Sequence, residues 1–337
     1  MSKTKKFFIA LGVLNFAALL LLLIAAEVIV RMRGVRPYTP PEFKLTVEPD
    51  GRLFGHSSTL GYVNLPGRRR VIHPDGHAAT IQVNEDSTRI TRPPGSALAG
   101  DDAAKVWLLG CSYTFGSLAL NDEDTFPYLL QKGMTDLDIV NFGTNGYGTL
   151  QSYLQFKEAL AARPKPALAI YMYALFHAPR NTGLRGRQKA VAPWGFLSDD
   201  AGMHMARFTP AGDLKISDGP VHYREFPLMR VSAFSHFLEL NYNRLEEQSH
   251  QSAQVTFVLN QKLAAAAREA GVPFVVAGIV ADAFMLPALA ERGIPVADVA
   301  VDLTRPGNLT AQDAHPSLAA NREYVRKLGP VIRRQLK

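Results

Sequence analysis

The sequence predicts an α/β fold in which helices cover both faces of a parallel sheet, preceded by a transmembrane helix and a small β-rich segment. Three observations carry this expectation. From residue 105 onward, short apolar runs alternate with helix-length stretches, the pattern of strands joined by helical crossovers. Those runs are continuously apolar, which suits strands buried on both faces. Residues 1–36 instead hold one long apolar block flanked by basic residues.

Residues 7–26 read FFIALGVLNFAALLLLLIAA, twenty residues broken only by polar Asn15. At 1.5 Å per residue they span about 30 Å of hydrocarbon. A cleaved signal peptide usually has an apolar region of roughly 7–15 residues, so the run favours an uncleaved signal anchor, while the small pair Ala25-Ala26 keeps cleavage open. Lys3, Lys5 and Lys6 hold the N-terminus in the cytoplasm, with Arg31, Arg33 and Arg36 weakening the bias from the far side. The expected topology is a single pass with the body on the outer, extracytoplasmic side. The same residues account for most of the charge. Of the net +7, the six bases against Glu27 in residues 1–36 leave +5 there and +2 over the other 301 residues, which gives no electrostatic footprint for nucleic acid. The one cysteine, Cys111, rules out an internal disulfide.

After the anchor and its flanks (1–36), the proline-rich RPYTPPEF at 36–43 reads as a stiff connector. It opens a linker and β-rich accessory segment (37–103) with short runs at 43–47, 70–73 and 79–83. Turn signals at Pro49-Asp50-Gly51 and Pro74-Asp75-Gly76 punctuate these runs, and Pro93-Pro94-Gly95 and Gly100-Asp101-Asp102 close the segment. In the main domain (104–337), strands are expected at 106–110, 137–142, 167–175, 272–280 and 296–303, and helices at 149–163, 252–270 and 317–335. An insertion at about 180–250, with a hairpin turn at Ala211-Gly212-Asp213, sits at the carboxyl end of the sheet, where such folds place their sites and where it is positioned to act as a lid.

Gly110-Cys111-Ser112-Tyr113-Thr114-Phe115-Gly116 follows the first main strand and puts Ser112 on a strand-to-helix turn. This position suits a nucleophile, although an isolated serine there is more often a small turn residue or cap. Cys111 is a second, weaker nucleophile candidate beside the reading of inert packing. The remaining histidines have no metal-ligand spacing, and Gly143, Gly146 and Gly148 do not form a dinucleotide fingerprint. No metal and no cofactor are expected.

The serine segment resembles the first block of the SGNH (GDSL-type) hydrolases, Gly-Asp-Ser-x-Thr-x-Gly, with Cys111 in the aspartate's place. Asn141-Phe142-Gly143-Thr144-Asn145-Gly146-Tyr147-Gly148 resembles the second block, and Asp313-Ala314-His315-Pro316-Ser317 the last. The resemblance covers about residues 104–337 and implies a flavodoxin-like three-layer α/β/α domain. Its catalytic residues would be Ser112 as nucleophile, His315 as base and Asp313 as orienting carboxylate, with the amides of Ser112 and Gly146 as oxyanion donors. Aspartate commonly stands three residues before the histidine, where this sequence has Gln312; the D-x-H spacing resembles relatives that handle O-acetyl groups on polysaccharides. The third block, Gly-x-Asn-Asp, is not matched. His177 or Asn181, or else Arg180, is then expected to supply the missing oxyanion donor, with strand capping as the alternative for each. The implied activity is that of a membrane-anchored serine esterase or acyltransferase acting on an acyl ester, one on envelope carbohydrate among the options. The alternative is an inactive SGNH-like domain that binds glycan or scaffolds a cell-envelope complex.

Overall fold

A computed structural model describes residues 2–41, 44–93, 95–96, 103–194 and 202–337. The chain begins with α1 (Lys3–Met32), capped by the Ser2 side chain, and of its thirty residues only Val30 is buried. Its apolar side chains face outward, including Phe7, Phe16 and Leu22 at over 60% exposure, and by length and composition the helix is long and apolar enough to cross a membrane.

The accessory segment forms two small antiparallel units. Strands β1 (Thr46–Glu48), β4 (Gly67–Ile72) and β5 (Ala78–Val83) make one sheet in the order β1-β4-β5, while β2 (Phe54–Ser57) and β3 (Gly61–Asn64) form a hairpin. The expected runs at 70–73 and 79–83 fall in β4 and β5. That at 43–47 overlaps β1, with Phe43 outside the described residues, as are Pro94 and Gly100-Asp101-Asp102 at the segment's end. The β2–β3 hairpin was not expected, since Ser57, Ser58 and Gly61 interrupt any alternation there.

The main sheet has five parallel strands: β6 (Ala104–Gly110), β7 (Leu137–Asn141), β8 (Leu168–Tyr173), β11 (Phe274–Gly278) and β12 (Val296–Asp298), in the spatial order β12-β11-β8-β6-β7. In chain order this is the flavodoxin-like 2-1-3-4-5 arrangement, whose switch point lies between β6 and β8. Alternate residues serve opposite faces. Val106 and Leu108 pack with Leu130 of α3 (Phe126–Gly133) and Tyr324 and Leu328 of α10 (Leu318–Gln335). Trp107 and Leu109 pack with Phe156 of α4 (Thr149–Ala162) and Leu263 and Ala267 of α8 (Ser252–Glu269). Both faces are therefore covered, as the unbroken apolar runs imply.

The strand expected at 296–303 is only three residues long, because the Asp298 carboxylate accepts the Ala300 N–H at 2.9 Å and turns the chain away. At the opposite edge, Arg89 bridges to Asn141 of β7, its N–H donating to the Asn141 carbonyl at 3.1 Å. The accessory segment thus covers one edge of the parallel sheet.

The insertion holds α5 (Ala178–Thr182), α6 (Arg185–Val191), the antiparallel pair β9 (Met203–Phe208) and β10 (Leu214–Gly219), and α7 (Ala233–Ser249). The hairpin turn at Ala211-Gly212-Asp213 lies where expected, with Gly212 at φ +88°. A short α2 (Ser112–Phe115) follows β6, and α9 (Met285–Ala290) lies between β11 and β12.

Candidate active site

Ser112 is the first residue of α2, directly behind the carboxyl end of β6 and at the switch point. The turn is tight: the N–H groups of Thr114 and Phe115 both donate to the Cys111 carbonyl at 2.9 Å. Cys111 is fully buried in the apolar cluster beneath, so its thiol faces the core while the Ser112 hydroxyl faces a cleft of about 410 Å³.

His315 enters from the turn before α10, and its Nε2 lies 2.9 Å from Ser112 Oγ. Its Nδ1 lies 2.8 Å from the main-chain carbonyl of Asp313 and 3.5 Å from that residue's carboxylate. A carbonyl only accepts, so Nδ1 carries the proton and Nε2 is left to accept from the serine. The Asp313 carboxylate binds the turn together: it accepts from Ser117 Oγ at 2.8 Å, from the Leu118 N–H at 3.0 Å and from Thr310 Oγ1. Burial alone would raise the Asp313 carboxyl, but hydrogen bonds from His315, Thr310 and Ser117 and the proximity of His315 outweigh it and hold the group well below the usual carboxylate range.

The loop 143–148 forms the other wall. Its carbonyls are bound from outside: Gly143 by Asn64 Nδ2 at 3.0 Å, Asn145 by Tyr62 Oη at 2.7 Å, Gly146 by Arg187 at 2.7 Å and Tyr147 by Arg180 at 2.9 Å. In a trans peptide the N–H points away from its carbonyl. With the Asn145 carbonyl held by Tyr62, the Gly146 N–H is turned to the opposite side. Neither it nor the Ser112 N–H has a hydrogen-bond partner among the described residues. Gly146 sits at φ +80°, and a Cβ there would stand 2.5 Å from the Trp194 ring and 2.6 Å from the Tyr62 hydroxyl, so no other residue fits.

Of the sequence-derived candidates, Ser112, His315, Asp313, Gly146 and Arg180 all line the cleft. His177 and Asn181 do not: contrary to expectation, both side chains are buried away from it and neither is placed to donate to an oxyanion. Strand β8 stops at Tyr173 and a single tight turn spans Leu175–His177. This folds the fully buried His177 ring back, its Nδ1 accepting from the Ala174 N–H at 3.3 Å and meeting the Tyr171 hydroxyl at 2.8 Å. Asn181 is equally buried, with Oδ1 accepting from the Leu150 N–H at 3.0 Å and Nδ2 donating to Thr149 and Thr256. Its carboxamide ties α5 to α4 and α8.

Several lining residues were given no role in the sequence, Asn145 and His73 among them. Asn145, 9% exposed, lines the cleft beside Gly146, and the adjoining glycine was the available signal. His73 of the accessory segment, 4% exposed, also lines it, and nothing local marks it.

The buried His177 has a consequence for stability. Burial first, then the charges of Arg180 and Arg187, push its pKa well below the ordinary histidine value. Below about pH 6 the unfolded chain binds a proton at this residue that the folded chain refuses, so folding stability falls with acid by up to about 1.4 kcal/mol per pH unit. Chemical denaturation of His177→Gln against wild type between pH 5 and 7 should show this slope in wild type and its loss in the variant. Parallel pH dependences would refute the assignment.

No protein-family model matches the sequence, and no curated protein matches it. Among solved structures, the chain is similar to TesA at 17% identity, with a TM-score of 0.41 over 68% of this chain and 99% of that one. It is similar to a putative lipolytic protein of the G-D-S-L family from Desulfitobacterium hafniense at 15% identity, with a TM-score of 0.36 over 68% of this chain and 99% of that one. A psychrotrophic esterase, EstA, from Pseudoalteromonas sp. matches at 10% identity, with a TM-score of 0.40 over 69% of this chain and 98% of that one. At such identities each likeness is one of α/β architecture.

Proposed function

We propose that the chain is a serine hydrolase of SGNH type, anchored by α1 with residues 104–337 outside the membrane, that cleaves or transfers an acyl ester through an acyl-Ser112 intermediate. The observation that carries this reading is the 2.9 Å contact between Ser112 Oγ and His315 Nε2 inside a cleft, beside the two unpartnered amides.

In the reaction, His315 Nε2 takes the hydroxyl proton as Oγ bonds to the acyl carbon, and the carbonyl electrons move onto oxygen. The N–H groups of Ser112 and Gly146 meet that charge, their orientation fixed in advance by the groups holding the loop's carbonyls. Collapse expels the alcohol, which leaves with the proton from His315. Water, or an acceptor hydroxyl in transfer, then releases the acyl group by the same steps reversed. An acyl ester on envelope carbohydrate is the substrate class in keeping with the D-x-H spacing of Asp313 and His315.

Fluorophosphonate labelling of the detergent-solubilised full chain tests the reading: the label should appear on Ser112. An unlabelled, folded protein favours the inactive glycan-binding or scaffolding domain.

A smaller effect separates the two parts of Asp313. Where a carboxylate alone sets the histidine tautomer, its amide replacement costs roughly 10⁴-fold. Here the Asp313 carbonyl holds Nδ1–H and survives the substitution. Asp313→Asn should therefore lower kcat by only roughly 10–100-fold, through loss of the charge facing the imidazolium. A loss near 10⁴-fold would assign the tautomer to the carboxylate.

A further inference from the structure

Just beyond its apolar run, α1 is fastened to the body. The Glu27 carboxylate accepts from Ser232 Oγ at 2.8 Å and from the N–H groups of Ala233 and Phe234 at 2.9 and 2.8 Å, at the start of α7. Arg31 bonds the same carboxylate at 2.6 Å and reaches the Val231 carbonyl at 3.2 Å. Further on, the Tyr38 N–H donates to Met229 at 2.8 Å, and His236 Nδ1 meets the Arg36 carbonyl at 2.7 Å. The segment 228–236 is thereby fixed against the last turns of α1 and the residues that follow.

That segment carries apolar side chains that the body leaves uncovered. Leu228 is 72% and Val231 67% exposed, and on the last turns of α1 Ile29 is 51% and Met32 82% exposed. Leu228 also takes φ +63°, a left-handed conformation that costs a leucine energy. The turn closes on it, its carbonyl accepting the N–H groups of Val231 and Ser232 at 2.9 and 2.8 Å. A turn position suited to glycine or asparagine thus presents a large apolar side chain outward.

The height of this turn indicates what covers it. Arg31, bonded to Val231, is five residues past Ala26, where the apolar run ends. At 1.5 Å per residue that is about 7–8 Å beyond the hydrocarbon boundary of a spanning α1. The headgroup layer is about 5–8 Å deep on each side, so the turn lies at its level. Arg33 and Arg36, both exposed, stand at the same end of α1, where anionic headgroups attract cations.

We propose that the turn 227–232 is a membrane foot, with Leu228 and Val231 seated in the headgroup layer of the outer leaflet that α1 spans. The Glu27 clasp and this foot together set the height and tilt of the body over the lipid surface. The occupant is the phospholipid leaflet, argued from continuity with the α1–α7 contact. The inference rests on the anchor reading of α1, and its test separates the two.

The full chain carrying Leu228→Cys, labelled with an environment-sensitive fluorophore, is placed in nanodiscs of phosphatidylethanolamine and phosphatidylglycerol, with or without lipid bearing a nitroxide high on the acyl chain. Native Cys111 is fully buried, so labelling goes to the introduced site. Leu19→Cys on α1 reports the span. Thr135→Cys, exposed before β7 at the amino end of the sheet, reports bulk water. The foot requires quenching at 228 roughly twofold or more above that at 135, together with strong quenching at 19. Quenching at 19 without excess at 228 overturns the foot and leaves the anchor. Absence of quenching at 19 removes both. A signal at 228 that follows the number of chains per disc, not the nitroxide, points to a second copy and also overturns the proposal.

Discussion

Ser112→Ala should abolish turnover of a short acyl ester, lowering kcat by roughly 10⁴–10⁶-fold, while leaving the fold in place. The change deletes one hydroxyl at a 5% exposed position and one hydrogen bond, that to His315. Its cost in stability should stay within about 1 kcal/mol. His315→Ala should come close to the same residual rate. Because serine and histidine act as a unit, the double variant should be hardly slower than either single one. Turnover of p-nitrophenyl acetate by the purified full chain, with circular dichroism as the check on folding, measures all three. A folded Ser112→Ala protein with undiminished activity would remove the acyl-serine mechanism. Additive losses in the double variant would show instead that the two residues work independently.

The sheet was legible in the sequence for a physical reason. Neighbouring residues of β6, such as Trp107 and Leu108, are buried in clusters on opposite faces, so the strand reads as an unbroken apolar run. Ser112, Gly146 and His315 were legible because each stands in a short contiguous segment whose resemblance to a block of the SGNH hydrolases marks it. The failures share a different cause, in that partners distant along the chain decide them. Where a strand ends cannot be read from ALAIYMYAL; its end at Tyr173 rather than two residues later sends His177 into the core. Helix α7 escaped because its exposed Leu238, Leu240, Tyr242 and Leu245 blur the apolar stripe, and its one deeply buried carboxylate, Glu239, is neutralised by Arg185 and Lys189 from α6. His73 joins the cleft only because the accessory segment folds over the main domain. Arg89 is the extreme case. A single arginine between Thr88 and Ile90 reads as a solvated surface residue, yet its side chain is wholly buried.

Arg89→Met should destabilise the protein by about 3–5 kcal/mol, the usual cost of removing one member of a buried ion pair. Arg89 Nε pairs with the Asp122 carboxylate at 2.7 Å. The rest of the guanidinium donates to the carbonyls of Phe115 at 3.2 Å, Ser117 at 3.4 Å and Leu120 at 2.8 Å, and it lies 4.8 Å from the centre of the Phe115 ring. Methionine fills much of the volume but donates nothing, so the carboxylate loses its charged partner and three carbonyls lose a donor. Among the described residues Asp122 keeps only the Gln82 N–H at 3.0 Å, too little to hold a buried charge. The double variant Arg89→Met/Asp122→Asn should recover part of the loss, because no unpaired charge then remains. The damage should also reach the cleft. Ser117, whose carbonyl Arg89 holds, bonds the Asp313 carboxylate through its hydroxyl, so slackening this loop loosens the turn that carries His315. Denaturant midpoints give the stability change, and the esterase rate of the fraction that remains folded gives the second effect. A midpoint shift worth less than about 1 kcal/mol would mean that water reaches Asp122 and the loop carbonyls in the variant, and that the accessory segment does not hold the nucleophile loop in place.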